Sequence, residues 1–148
     1  FGETGAQRVE HLMKIREQQD KTGGFTAFIP WSFSPNKTKL DCPRIMNGTD
    51  YLRMVAMARI ILDNIAHLQA GWVTEGPDVS QVALQFGADD YGGVLMTEEV
   101  VSATGLEYGV TEDQVINMIR EAGYTPAQRT TQYDMIKVYE NDVETIGV

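Results

Sequence analysis

Residues 24–40 read GFTAFIPWSFSPNKTKL. Phe25 to Pro30 have the composition of a buried strand, apolar and closed by a proline that cannot donate to a ladder. No hairpin turn follows. Trp31, Ser32 and Phe33 set two aromatics at the strand's end, and Pro35, Asn36 and Thr38 then lead into a long, constrained loop. In α/β folds, ligands bind at the carboxyl ends of parallel strands, and a large aromatic at such an end is placed to meet one.

Working outward, the flanking segments alternate with this strand. Residues 5–20 read as a helix: Val9, Leu12, Met13, Ile15 and Arg16 fall near helical spacing, Thr4 and Gln7 form a capping box, and Gly23-Gly24 stops the run. After the loop, Asp50 is expected to cap a helix over 51–65 that is apolar nearly all round and therefore buried. The stretch 66-AHLQAGWV-73 reads as a short second strand. Pro77 and Asp78 open a helix over 78–86 with Val79, Val82, Ala83 and Phe86 inward. GADDYGGVLM at 87–96 reads as a turn, a carboxylate pair and a short third strand. Glu98–Ala103 is expected to be helical, and a second capping box, Thr111 with Gln114, starts a helix that ends at Gly123. The tail holds a Pro-led turn and a strand at Met135–Tyr139.

Strands alternating with helices predict an α/β fold with parallel strands and crossover helices. Three strands make a poor independent sheet, with open edges on both sides. The pattern therefore reads as part of a larger sheet or barrel over 1–96, with a C-terminal helical extension over 97–148 packing on it. Open edges also allow self-association.

Composition narrows the function. The 148 residues are 43% hydrophobic and 22% charged, a globular balance. A net charge of -9 argues against non-specific binding to nucleic acid or anionic membranes. The most apolar stretch, 51-YLRMVAMARIILDNI-65, is interrupted by Arg53, Arg59 and Asp63, and no run approaches the roughly 18–20 residues of a spanning helix. No signal-peptide pattern is present. Cys42, the one cysteine, cannot form an internal disulfide, which suits a reducing, cytoplasmic setting. With His11 and His67 it is also too little for a zinc or iron–sulfur site, so no metal ligand is assigned and no cofactor is expected in this chain alone. No Ser–His–Asp, HExxH or CxxC pattern occurs. The chain opens on Phe1 with no initiator methionine, which reads as a piece of a longer or processed chain.

The candidate site residues collect at the strand ends: Trp31 and Ser32 after the first, Gln69 and Trp72 after the second, Asp89 and Asp90 at the third. Aromatic walls can stack on flat rings, and the polar groups can orient sugar hydroxyls. Each has a plainer alternative. Tryptophans pack in cores and rims more often than they wall ligands, and the two aspartates can cap the Gly92-Gly93 turn. Glu98 and Glu99 suit a solvated helix start. Gly92-Gly93 lacks the Gly-Lys-Ser/Thr of a phosphate loop. His11 reads as a surface residue, His67 as buried in the sheet and Cys42 as a loop thiol.

Several motifs together carry a resemblance: FGET at 1–4, FIPW at 28–31, LQAGW at 68–72, GADDYGG at 87–93 and AGYTPAQR at 122–129. Over nearly its whole length the chain resembles the C-terminal portion of radical S-adenosylmethionine (SAM) enzymes of the futalosine route to menaquinone. It is most similar to the dehypoxanthine-futalosine cyclases, with aminofutalosine synthases and deazaflavin F0 synthases as sisters. The resemblance implies about strands six to eight of a TIM-like (β/α)8 barrel. It places Gly2, Glu3 and Thr4 near SAM, Trp31, Ser32, Gln69 and Trp72 against a nucleoside-like substrate, and Asp89 or Asp90 in hydroxyl contact or proton transfer. Trp31 after Phe28-Ile29-Pro30 favours the cyclase among the sisters. The family's CxxxCxxC, which holds a 4Fe–4S cluster, is absent, and Cys42 does not match it. The parent would therefore bind SAM and the cluster, this chain alone would be inactive, and its partner would be the N-terminal half of the barrel. A non-catalytic interaction module is the rival class.

Overall fold

The computed structural model describes residues 1–35, 39, 46–94 and 108–140. Helix α1 (Gly5–Thr22) starts where the capping box sets it: Thr4 Oγ1 accepts from Gln7 N–H while the Gln7 side chain receives the Thr4 N–H. It ends at Gly23, in the left-handed conformation that a C-terminal glycine adopts freely. Strand β1 is only Ala27–Phe28, shorter than expected, because Pro30 carries no N–H to extend the ladder.

Helix α2 (Gly48–Ile61) begins before the expected start. Asn47, not Asp50, is its cap, and the Asn47 side chain accepts the Asp50 N–H at 2.9 Å. Tyr51, Val55, Ala58 and the following Leu62 bury one stripe, whereas Ile60 stands 77% exposed. The helix is therefore amphipathic, not buried all round. Arg16 of α1 donates to Ile61 O at 2.7 Å and pairs with Asp63, and Asn64 Nδ2 returns a bond to Arg16 O at 3.0 Å. The first of these contacts satisfies the Ile61 carbonyl, which the end of α2 leaves unpaired.

Strand β2 is His67–Leu68, parallel to β1 in the register Ala27↔His67 and Phe28↔Leu68. Gln69 then bridges Asp90 in parallel, with Ala70 N–H donating to Asp90 O at 2.8 Å and Asp89 N–H to Leu68 O at 3.0 Å. The expected strand over 66–73 stops there. Gly71 O receives the N–H groups of Thr74 and Glu75, so Trp72 opens the short helix α3 (Trp72–Glu75) instead of ending a strand. Helix α4 (Pro77–Ala83) has Pro77 in its first turn, where the missing N–H costs nothing, and tightens into a 3-10 turn over Leu84–Phe86. Ala83 and Ser80 face inward, whereas Val82 and Phe86 are 44% and 41% exposed, contrary to the expected inward set.

Leu68 and Ala70 point to the helices and are buried, and by the two-residue period of a strand His67 and Gln69 point to the opposite face. Helix α5 (Glu112–Glu121) carries the second capping box, Thr111 with Gln114, and is tied to α4 by Gln81 Nε2 donating to Met118 O at 2.9 Å. The C-terminal part is not purely helical. Strands β3 (Ala127–Arg129) and β4 (Met135–Val138) form an antiparallel hairpin with a register shift at Gln128/Arg129. The expected helix at 98–103, Cys42 and most of the loop through Asn36 and Thr38 lie outside the described residues.

Candidate functional site

Two cavities flank the parallel strands. One, of about 730 Å³, is walled by Gly2, Glu3, Arg8, Trp31, Ser32 and Tyr51, among others. It unites four of the residues singled out in the sequence. Trp31 is 55% exposed, with its indole available, and Ser32 Oγ is buried without a hydrogen-bond partner among the described residues. A buried hydroxyl in that state is a donor and acceptor without protein partners. Glu3 Oε1 lies 3.6 Å from Arg8 Nε; hydrogen bonding by its own backbone, with the Arg8 charge, holds the carboxyl below its usual range. Thr4 does not wall this cavity: its hydroxyl and N–H serve the α1 cap.

The second cavity, of about 640 Å³, is walled by His67, Asp89, Asp90, Gly92, Arg129 and Tyr133, together with apolar groups of α5. Here the two aspartates separate in role. Asp89 Oδ1 accepts from Leu68 N–H at 2.7 Å and from Arg59, while Oδ2 sits 2.7 Å from His67 Nδ1. Burial opposes its charge, but the Leu68 N–H, His67 and Arg59 outweigh burial and hold Asp89 below the ordinary carboxylate range. Arg59 also donates to Gly87 O at 2.6 Å, so this aspartate joins the end of α2 to the start of the third strand segment.

Asp90 faces the hairpin. Its Oδ2 accepts from Tyr133 Oη at 2.7 Å and from Arg129 Nη2, and its Oδ1 accepts from Gly92 N–H at 2.9 Å. Arg129 Nη2 also lies 3.5 Å from Gln69 Oε1, which brings Gln69 to this group. Gly92 has φ 90, a conformation that favours glycine, and a Cβ there would stand 2.8 Å from Gln69 Nε2, the movable end of that side chain. Burial and the Asp90 bond push the Tyr133 phenol well up, and it remains a protonated donor. The Tyr133 ring lies parallel to His67, centroids 3.7 Å apart at 2°, with the Arg129 guanidinium carbon 4.0 Å from the same ring centroid.

Trp72 joins neither cavity. It is 3% exposed, and its indole N–H reaches Gly93 O at 3.3 Å, so it braces the glycine turn from the core in place of the expected ligand wall. His67 is half-buried on the open face and not sunk in the sheet. Sequence reasoning missed Arg59, Arg129 and Tyr133 as partners of the carboxylates. Arg129 lies in the AGYTPAQR motif and Tyr133 shortly after it, yet no spacing rule links either to Asp90. Among the described residues no group of three or more His, Cys, Asp or Glu is placed to hold a metal, and no helix is long and apolar enough to cross a membrane.

A mixed α/β chain with parallel strands whose ends bear aromatic and carboxylate groups is the architecture of a small-molecule site. Residues 22–142 match the family described as the CofH/MqnC C-terminal region, and the chain belongs to that family. It is 45% identical over 95% of its length to a cyclic dehypoxanthine futalosine synthase of Streptomyces coelicolor, covering 35% of that protein. It is 44% identical, again over 95% of its length, to the protein of the same name from Halalkalibacterium halodurans, covering 38% of it. An aminodeoxyfutalosine synthase of Streptomyces coelicolor is 32% identical over 90% of the chain. The chain thus spans about a third of the length of these curated relatives.

Proposed function

We propose that this chain is the substrate-side, C-terminal portion of a cytoplasmic radical SAM enzyme that cyclises dehypoxanthine futalosine on the route to menaquinone. The observation that carries the reading is the margin between relatives: 44% and 45% identity to the two cyclases against 32–38% to the relatives named for the sister reactions. The rest of a TIM-like barrel would come from an upstream portion, which would pair with the open strand edges and cover the face that carries His67 and Gln69.

The residues present do not fit a 4Fe–4S cluster: Cys42 is the one cysteine, where a cluster takes several thiolates, so the upstream portion would have to hold it. SAM, when bound and reduced by one electron from the cluster of the upstream portion, would supply a 5′-deoxyadenosyl radical, with methionine as the leaving group. Gly2 and Glu3 fit a place beside it, since they share with Trp31 and Ser32 a cavity of about 730 Å³, within the range that nucleoside-sized ligands fill. Trp31 offers a face for stacking, and Ser32 offers a hydroxyl without a partner among the described residues to orient the substrate. Walls of this kind also exclude water, which a radical intermediate requires.

Asp90 is the better hydroxyl contact of the two carboxylates. A carboxylate offers about four lone-pair positions, and among the described residues Asp90 uses three, on Gly92, Arg129 and Tyr133, which leaves one on Oδ1. Asp89 has the same count but spends it on the fold: Arg59, the Leu68 N–H and His67. The test is turnover of the protein that carries this chain with the upstream two thirds of its relatives' length. Supplied in parallel with dehypoxanthine futalosine and with the precursors of the sister reactions, it should consume the first alone. Consumption of a sister's precursor instead would refute the cyclase reading.

A further inference from the structure

The hairpin β3–β4 buries little of its own: Met135, Ile136 and Val138 are 67%, 60% and 51% exposed. Core formation therefore does not explain its place. Its inward contacts are polar and converge on the site. Arg129 and Tyr133 both reach Asp90, across 39 and 43 residues of chain, Arg129 touches Gln69, and Tyr133 covers the His67 ring.

The turn that joins the strands holds a second observation. Tyr133 N–H donates to Thr130 O at 3.1 Å and Thr130 N–H to Asp134 O at 2.9 Å, while Thr130 Oγ1 accepts from Gln132 and Asp134 N–H at 3.2 Å. Tyr133 has φ 67, the one non-glycine residue at positive φ among the described residues. That conformation crowds a Cβ, and hairpin turns usually place glycine or asparagine there. A bulky side chain persists in such a place when its surroundings over-determine it, and such strain gathers at functional sites. Here the surroundings are the His67 stack, the Arg129 guanidinium and the Asp90 carboxylate. A glycine would relieve the backbone and lose all three.

We propose that Tyr133, together with Arg129, is a positioning residue of the site: the hairpin fixes the Asp90 carboxylate in the orientation the reaction uses, and the Tyr133 ring is seated for this on His67. This deepens the reading of the preceding subsection and rests on it. Tyr133 acts through its O–H on Asp90. Arg129 acts through Nη2, which Asp90 and Gln69 share, and its buried Nε, without a partner among the described residues, remains at the cavity wall.

The experiment is a double-mutant cycle in the protein that carries the upstream portion, with turnover of dehypoxanthine futalosine and thermal melting read on every variant. Tyr133→Phe keeps the ring and loses the O–H. It should lower kcat about tenfold, the size expected for one hydrogen bond to a charged group, with KM changed less than about threefold. Because Tyr133 acts through Asp90, Asp90→Asn with Tyr133→Phe should lose no more than Asp90→Asn alone. Arg129→Lys should retain more activity than Arg129→Ala. Losses that multiply across the cycle, or wild-type kcat and KM in both Tyr133→Phe and Arg129→Ala, would overturn the proposal and leave the hairpin a scaffold. Should Tyr133→Phe fail to fold, the Arg129→Lys and Arg129→Ala pair decides by itself: equal activities overturn the proposal. A wild-type protein without turnover would instead refute the cyclase reading.

Discussion

Tyr51→Phe isolates one bond that holds the strand ends together. Tyr51 is fully buried, and its Oη accepts the Gly71 N–H at 2.7 Å, at the point where the chain leaves β2 for α3. The site is tight: a Cβ on Gly71 would meet Pro30 O at 3.0 Å and both Trp31 Cδ1 and Tyr51 Oη at 3.3 Å. The bond therefore fixes the distance between the end of β2 and the aromatic that follows β1. Phenylalanine keeps the ring and its packing but leaves the Gly71 N–H buried without an acceptor. The cost of such an orphaned donor is about 2 kcal/mol. For a chain of this size that corresponds to a fall in Tm of roughly 4–8 °C. The assay is thermal melting and urea denaturation of wild type and variant, with the urea midpoint falling at an unchanged m-value. Tyr91→Phe is the control: Tyr91 Oη donates to Pro77 O at 3.0 Å, and loss of a donor to a carbonyl should cost less, about 1 kcal/mol or below. A Tyr51→Phe variant that melts within about 1 °C of wild type would refute the reasoning, because the Gly71 N–H would then have a second acceptor.

Three further outcomes follow from the same geometry. Asp89 has a depressed carboxyl pKa when folded, so its contribution is present above the unfolded value and is lost as pH falls through the folded one. Wild type should therefore lose stability more steeply than Asp89→Asn below about pH 4, as urea midpoints against pH would record; parallel curves would count against the Arg59–Asp89–His67 linkage. At Gly87, with φ 107, a Cβ would lie 2.8 Å from Arg59 Cβ and Cγ. Gly87→Ala should accordingly cost about 2 kcal/mol in chemical denaturation, and an unchanged midpoint would contradict the close approach. Trp31→Ala should leave stability within about 0.5 kcal/mol, since the side chain is exposed, yet weaken substrate binding roughly tenfold in equilibrium dialysis. Unaltered binding would remove Trp31 from the substrate wall.

What could be read from the sequence was local. Both capping boxes span three residues and carry their own chemistry, and each sits where the motif placed it. The parallel strand order was legible from the alternation of segments. Asp50 was misassigned because Asn47, three residues earlier, is an equally good cap and lies nearer the true helix start. Ile60, Val82 and Phe86 are apolar but outward, since which stripe is buried depends on neighbours that periodicity does not name. Strand β3, Ala127-Gln128-Arg129, has no apolar alternation and is held by pairing with β4, so it gave no strand signal. The carboxylate pair was visible as residues but not as roles: the partners that divide Asp89 from Asp90 are Arg59, 30 residues before Asp89, and Arg129 and Tyr133, 39 and 43 residues after Asp90.

The most direct test of the account is mass analysis of the product made from dehypoxanthine futalosine by the protein carrying this chain and its upstream portion, with SAM and a reductant in the absence of oxygen. The account predicts a cyclised product lighter than the substrate by a pair of hydrogens, formed together with 5′-deoxyadenosine. Intact substrate beside active conversion of an aminodeoxyfutalosine precursor would contradict it and move the chain to the sister reaction.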